Sequence, residues 1–244
     1  MRQAVILCGG RGRRLSRITG DLPKGLVPLT GKPLLAHQLE ELRCRGVEEV
    51  IFCVGYGADA IRAIFGDGST WGLRIVYSQE LIPLGTAGAV RAIQHPLDRH
   101  FLVIYGDLLF CLDLAALAHH HYQRGGLATL VLHPSDHPYD SDLVVLAGDS
   151  TIVDLPGKPC PGDMFVNLTS AAVYALNREL LQTIPPHGPT DFASDIFPSI
   201  LRAGKPLIGF VTPDYCRDIG QEERYWRAIS DLCAGRVHAA GCPA

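Results

Sequence analysis

The 244-residue sequence predicts an α/β fold: a mostly parallel, twisted sheet with helices on both faces and a small antiparallel insert. Three observations carry this expectation. Short apolar runs alternate with stretches of helical spacing along most of the chain. Hydrophobic residues make up 47% and charged residues 19%, which excludes a disordered chain. The alternation breaks once, from about Pro134 to Asn167, where Pro, Asp, Gly and Ser dominate. A chain of this length buries roughly 70–75% of its unfolded surface and needs no disulfide or metal to fold. One domain over 1–235 with a flexible tail over 236–244 is therefore expected.

The elements follow in order. Ala4–Leu7 reads as a buried strand, and Pro33–Cys44 carries Leu34, Leu35, Gln38, Leu39 and Leu42 at helical spacing. Glu49–Val54 is a strand ended by Gly55-Tyr56-Gly57, and Ala58–Phe65 a helix. Leu73–Tyr77 is a strand, Thr86–Ile93 a helix and Phe101–Tyr105 a strand. Asp113 is placed to cap a helix over Leu114–Tyr122, before a strand at Ala128–Leu132. Within the irregular stretch, Asp142–Leu146 and Thr151–Leu155 read as antiparallel strands inserted into the sheet. Ala171–Leu176 resumes a strand, Asp191–Ala203 a helix, Pro206–Val211 a strand and Glu222–Leu232 a helix. Ligands of such sheets bind beyond the carboxyl ends of the strands.

The net charge of −3 does not mark a nucleic-acid binder. It hides an asymmetry, because residues 1–32 hold Arg2, Arg11, Arg13, Arg14, Arg17, Lys24 and Lys32 against one acid, Asp21. A focused positive segment on an acidic body points to a small anionic ligand; the alternative is a solvated basic surface. The cysteines are scattered without CxxC spacing, and several sit in apolar runs as small core hydrophobes do. The apolar run at Ala4–Cys8 is too short for a signal peptide, and no stretch approaches 18 apolar residues. A cytoplasmic protein without membrane or nucleic-acid partners is expected.

The most informative segment is Leu7-Cys8-Gly9-Gly10-Arg11-Gly12-Arg13-Arg14-Leu15, continuing to Leu22-Pro23-Lys24. A glycine-rich loop after a buried strand lets backbone N–H groups approach phosphates. It is neither a Walker A loop, which needs Gly-Lys-Ser/Thr, nor the dinucleotide fingerprint, which needs a small residue where Leu15 stands. Arg14 and Lys24 add two cations to the same turn. A second segment, Gln79-Glu80-Leu81-Ile82-Pro83-Leu84-Gly85-Thr86-Ala87-Gly88-Ala89, follows a strand and opens a helix; its small residues let the backbone lie close to a flat ligand. The apolar strand Phe101–Tyr105 ends in Gly106-Asp107, which puts a carboxylate at the sheet's carboxyl edge. Asp218 stands in Arg217-Asp218-Ile219-Gly220. Polar residues of the irregular stretch, Tyr139-Asp140-Ser141-Asp142 and Gly157-Lys158-Pro159, suit a ligand rich in hydroxyls.

LCGGRGRRL…LPKGLVPLTGKPLL resembles the signature of sugar-1-phosphate nucleotidylyltransferases, and the resemblance extends from Ala4 to about Tyr225. Departures are Cys8 and Arg13 in the loop, and Gln221 and Glu222 where the family has Thr-Pro after Asp-Ile-Gly. The resemblance implies a Rossmann-like nucleotidyltransferase fold with a nucleotide part over 1–133 and a sugar part over 134–220. It implies a nucleotide site of Leu7, Gly9, Gly10, Gly12, Arg14, Gln79, Pro83, Gly85 and Thr86. It assigns catalysis to Arg14, Lys24 and Asp107, Mg²⁺ ligation to Asp107 and Asp218, and the sugar phosphate to Asp140, Asp142, Lys158 and Asn167. PLGTAGA looks most like guanylyltransferases for mannose and heptose 1-phosphates, and HPYDSDLV like those acting on heptose 1-phosphate. The implied reaction joins an NTP, GTP favoured, to a sugar 1-phosphate, heptose 1-phosphate favoured, and releases pyrophosphate.

Other readings stay open: another base or sugar (ATP, CTP or dTTP; mannose or glucose 1-phosphate), a non-catalytic nucleotide-sensing subunit, or a glycosyltransferase. The last would carry Asp-x-Asp where this chain has Asp107-Leu108-Leu109. Relatives are often dimers or tetramers, which leaves a homo-oligomer open. His119-His120-His121 reads as a helix end, because neighbours on a helix point about 100° apart and do not converge on one ion.

Overall fold

The computed structural model describes residues 1–10 and 12–237. Strand β1 (Gln3–Leu7) leads through a 3₁₀ turn (Arg13–Leu15), the single-turn α1 (Ser16–Thr19) and a second 3₁₀ turn (Lys24–Leu26) to a short hairpin, β2 (Pro28–Leu29) and β3 (Lys32–Pro33). Then come α2 (Leu34–Cys44), β4 (Glu49–Val54), α3 (Ala58–Phe65), β5 (Arg74–Gln79), α4 (Gly85–Arg91) and β6 (His100–Tyr105). The second half comprises β7 (Leu108–Cys111), α5 (Leu114–Arg124), β8 (Ala128–His133), β9 (Leu143–Leu146), β10 (Ile152–Gly157) and β11 (Thr169–Asn177). It closes with α6 (Phe197–Arg202), β12 (Leu207–Val211), β13 (Tyr215–Asp218) and α7 (Glu222–Cys233).

The central sheet runs β10-β9-β11-β6-β1-β4-β5, with β8 also beside β11 and β12 beyond β8. β6, β1, β4 and β5 are mutually parallel, as the sequence predicts. Their side chains alternate between two cores. Ala4, Ile6, Phe52 and Ile104 face one side with Leu35, Leu39, Ile61, Phe65 and Leu117. Val5, Ile51 and Val103 face the other with Ala87, Val90, Phe197 and Ile200. That two-residue period is what buries both faces of a parallel sheet. A third cluster of Leu15, Val27, Leu29, Leu109, Ile219 and Tyr225 seats α7 on the loop after β1.

The insert is antiparallel as expected: β9 and β10 pair and join the sheet through Leu143 with Thr169, and β11 runs antiparallel to β6. Two features differ from the sequence expectation. The helix expected over 191–203 is a π turn (Phe192–Ile196) followed by α6. Pro198 has no N–H to continue a regular ladder, so the widened turn precedes it. The sequence reading missed an antiparallel ribbon of β7 and β13, which pairs Leu108 with Asp218. Asp113 caps α5 as expected, accepting from Ala115 N at 3.1 Å and Ala116 N at 2.9 Å. The three histidines diverge: His121 is buried against Thr129 and His100, while His120 meets the Gly209 carbonyl. Of the expected tail, Arg236 donates to Asp231, and 238–244 lie outside the described residues. Among the described residues no helix is long and apolar enough to cross a membrane.

Candidate active site

Because β1, β4, β5 and β6 are parallel, the loops after Leu7, Val54, Gln79 and Tyr105 open on one edge. There they enclose a cleft of about 1000 Å³ lined by Leu7, Gly9, Gly10, Gly12, Arg14, Lys24, Glu80, Pro83, Gly85, Thr86 and Asp107. Gly12 has φ +63°, and a Cβ on it would lie 3.0 Å from Lys24 Cβ, so its bare backbone lets the lysine cross the loop. Lys24 Nζ reaches Asp107 in an ion pair. Gln79 lies outside the lining; its Oε1 accepts from Arg62 at 3.0 Å.

Asp107 also lines a second cavity of about 800 Å³ on the side of the irregular segment. Thr86, Tyr105 and Asp191 join Asp107 in facing both spaces. The ribbon of β7 and β13 brings Asp218 beside Asp107, and Ile219 N donates to the Asp107 carbonyl at 2.9 Å. A methyl on Gly220 would sit 2.9 Å from Asp218 Oδ1 and 3.2 Å from Lys24 Nζ, so lysine and second carboxylate share a small volume. Asp218 is held by Arg224 Nη1, 2.7 Å from each oxygen. Among the described residues no group of three or more His, Cys, Asp or Glu is placed to hold a metal. Asp107 and Asp218, paired with Lys24 and Arg224, offer carboxylate oxygens of the kind that Mg²⁺ takes one or two of.

The turn that carries Asp107 is clamped from beneath. Gln38 on α2, 1% exposed, donates through Nε2 to the Tyr105 carbonyl at 2.9 Å and the Leu108 carbonyl at 2.6 Å. Gly106 N adds a bond to Leu7 O at 2.9 Å. Gln38→Leu removes a buried donor from two carbonyls and is expected to lower the unfolding free energy by about 1–3 kcal/mol. A urea titration checks this; an unchanged midpoint would take Gln38 out of the clamp.

The second cavity is lined by Asp140 and Asp142, and also by His137, Ser194, Arg217 and Arg224. Lys158 and Asn167 are not in its wall. Lys158 Nζ donates to Asp140 at 3.1 Å. Asn167 is turned to Ser135, accepting from its N–H at 3.1 Å and donating to its carbonyl at 2.7 Å. Lys158, with Arg224, holds the Asp140 carboxyl below the usual carboxylate range.

Three contributors escaped the sequence reading. Asp191 Oδ1 accepts from Thr86 N and Oγ1, both at 2.9 Å, and the Thr190 carbonyl accepts from Ala87 N and Gly88 N. The start of α4 is therefore capped by the 190–191 segment, and the close backbone approach expected of a flat ligand at Gly85 is made by Thr190. The signal was an Asp before a helical run, which reads equally as an ordinary cap. Glu80 Oε2 accepts from Leu84 N at 2.9 Å, and burial raises its pKa. Arg224 belongs to no motif of the sequence and joins the site through its bonds to Asp218 and Asp140.

The Nucleotidyl transferase family profile matches residues 3–235. The chain is 32% identical over 234 residues to mannose-1-phosphate guanylyltransferase of Mycobacterium tuberculosis, covering 95% of this chain and 65% of that protein. It is 29% identical over 231 residues to D-glycero-alpha-D-manno-heptose 1-phosphate guanylyltransferase of Aneurinibacillus thermoaerophilus, covering 94% and 98%. HddC from Yersinia pseudotuberculosis complexed with GMP-PN superposes with TM-score 0.81 at 27% identity, over 95% of this chain and 100% of that one. The chain spans 62% to 66% of the length of several curated relatives, among them UTP--glucose-1-phosphate uridylyltransferase of Synechocystis sp..

Proposed function

The chain belongs to the nucleotidyl transferase family, and on that premise we propose that it joins GTP to a sugar 1-phosphate, giving a GDP-sugar and pyrophosphate. A heptose 1-phosphate is the favoured sugar. The observation that carries this reading is the meeting of two cavities at Asp107, one glycine-rich and cationic, the other polar. We divide the chain accordingly into a nucleotide part, 1–133, and a sugar part, 134–220.

In the reaction an oxygen of the sugar phosphate attacks the α-phosphorus of GTP in line. The bond from that phosphorus to the bridging oxygen breaks, and pyrophosphate leaves with the electron pair. The attacking oxygen is already anionic, so no protein nucleophile or base is needed; positioning and charge stabilisation do the work. Gly9, Gly10 and Gly12 offer backbone N–H groups to the triphosphate, and Arg14 and Lys24 offset charge on the leaving pyrophosphate. Lys158 orients the attacking phosphate. Asp107 and Asp218 would hold Mg²⁺, which would supply charge neutralisation to the phosphates.

Glu80 supports the base assignment. A carboxylate at the cleft wall accepts N–H groups, and guanine offers two adjacent ones on its Watson–Crick edge. Uracil and thymine offer one, whereas adenine and cytosine present a ring nitrogen acceptor at that place. The guanylyltransferase names of the Mycobacterium and Aneurinibacillus relatives and the GMP-PN in the Yersinia structure agree with guanine.

The test is pyrophosphate release from each NTP with mannose, glucose and heptose 1-phosphates in Mg²⁺. GTP is expected to lead, with ATP and CTP last; no release in any combination overturns the function. Glu80→Gln is expected to cut the preference for GTP over ATP by about tenfold or more. Because burial raises the Glu80 pKa, the carboxylate gains its proton at a higher pH than an ordinary glutamate. The KM for GTP should therefore rise as pH falls towards that value, and this rise should be absent in Glu80→Gln.

A further inference from the structure

We propose that Asp191 is a hydroxyl-binding residue, whose Oδ2 accepts a hydrogen bond from a substrate hydroxyl where the two cavities meet. The inference rests on the proposed reaction for the substrates, both of which carry neighbouring hydroxyls, one pair on the ribose of GTP and others on the sugar ring.

The backbone sets this carboxylate in place before a ligand arrives. Thr190 N donates to Leu84 O at 2.8 Å, and Thr190 O accepts from Ala87 N at 2.9 Å and Gly88 N at 3.1 Å. Asp191 N donates to Asp195 Oδ2 at 2.7 Å, and Asp191 O accepts from Asp195 N at 3.1 Å and Ile196 N at 3.2 Å. The side chain is held through one oxygen only. Oδ1 accepts from Thr86 N and Thr86 Oγ1, and that hydroxyl in turn accepts from Phe192 N at 2.9 Å. Among the described residues nothing donates to Oδ2.

The setting of Asp191 differs from that of the other acids. Asp107 is paired with Lys24, Asp136 with Arg217, and Asp140 and Asp218 with Arg224, whereas Asp191 has no cation partner among the described residues. Asp142 faces the second cavity alone, while Asp191 faces both. An ionised carboxylate only accepts hydrogen bonds, so it welcomes hydroxyls and repels phosphate oxygens. On the proposed reaction the base of GTP meets Glu80 and its α-phosphate meets Asp107. The ribose then lies between them, along the wall that Thr86 and Asp191 help to form. A carboxylate on ribose hydroxyls is a recurrent arrangement in nucleotide sites. From its other side Asp191 faces the cavity that would hold the sugar ring.

Asp191→Asn separates holding the wall from binding a ligand. The amide oxygen still accepts from Thr86, so the urea midpoint should not move, but an NH₂ group replaces the accepting Oδ2. The test is calorimetric titration of the intact chain with four probes, each alone so that no turnover occurs. GTP is compared with 2′,3′-dideoxy-GTP, and α-D-mannose 1-phosphate with inorganic phosphate. Asp191→Asn is expected to bind at least one hydroxyl-bearing probe about tenfold more weakly, and its hydroxyl-free counterpart within about twofold of the unaltered chain. A loss confined to GTP assigns the ribose, and one confined to mannose 1-phosphate assigns the sugar. A purely capping role predicts four unchanged affinities, which would overturn the proposal. Tighter binding overturns it too, as does an equal loss with the hydroxyl-free probes, which would mean a displaced wall. If the probes bind without this selective loss, the proposal falls and the reaction stands. Selective loss without pyrophosphate release sinks the reaction alone, and no binding of either substrate sinks both.

Discussion

Asp107→Asn is expected to lower turnover on the order of 10²–10³-fold or more, with a much smaller change in the KM for GTP. Asp107 faces both cavities, so on the proposed reaction its carboxylate would lie where the two sets of phosphates meet. The amide keeps the shape but removes one of two carboxylates that suit Mg²⁺ and deprives Lys24 of its ion-pair partner. The glycine loop and Glu80 are untouched, so ground-state binding of the nucleotide should survive. Fold stability should change little, because the pair is partly solvated, at 20% and 28% side-chain exposure, and such pairs contribute about 1 kcal/mol or less. Pyrophosphate release at saturating substrates, with a thermal melt of each protein, separates these effects. Turnover within fivefold of the unaltered chain would falsify the placement of Asp107 at the reacting centre.

Gly85→Ala is expected to be severely damaging for a single added methyl. Gly85 has φ +73°, and an added Cβ would lie 2.5 Å, 2.7 Å and 2.8 Å from the O, N and C of Thr190. All three are backbone atoms, so no side chain can swing away. The left-handed conformation adds its own cost for alanine. Relief requires the 188–191 segment to lift, which breaks the bonds from Thr190 N to Leu84 O and from Ala87 N and Gly88 N to Thr190 O. A loss of about 2–4 kcal/mol of unfolding free energy follows, together with a raised KM for GTP as Thr86 and Pro83 shift. Gly10→Ala is the contrast, since nothing lies within 4 Å of its Cβ position. It should leave the urea midpoint in place and affect only nucleotide binding. Equal midpoints for the two variants would remove the close approach of Thr190 as the reason for glycine at 85.

The parallel strands and flanking helices were legible because each is a local pattern: an apolar run, a helical spacing, a cap such as Asp113. The ribbon of β7 and β13 was not. Leu108–Cys111 reads as a continuation of the apolar run before Gly106, and Tyr215–Asp218 is too mixed to declare a face. Their pairing is tertiary, and no spacing along the chain encodes it. The same holds for the site. Leu7, the loop glycines, Arg14, Lys24 and Asp107 gather at one edge because motif and strand end coincide, while Asp218 arrives with the ribbon. Asp191 and Arg224 enter only through where remote segments fold back, whereas Glu80 stands in the loop directly after β5. Gln79, Lys158 and Asn167 belong to the right loops, yet their side chains are engaged by Arg62, Asp140 and Ser135. A residue's loop can be inferred from sequence more readily than the direction in which it points.

The ribbon also sets an order of events. The glycine loop, Glu80 and Asp107 lie in the first half of the chain, whereas Asp218 pairs back to Leu108 from more than a hundred residues later. Closing so long a loop is entropically slow, and it comes after the local contacts have formed. During synthesis the strands that carry the glycine loop, Glu80 and Asp107 can thus pair early, whereas the wall of the cleft is completed only when Asp191 and Gly220 arrive. On the proposed reaction, catalytic competence would be a late property of the nascent chain, acquired when β13 pairs with β7.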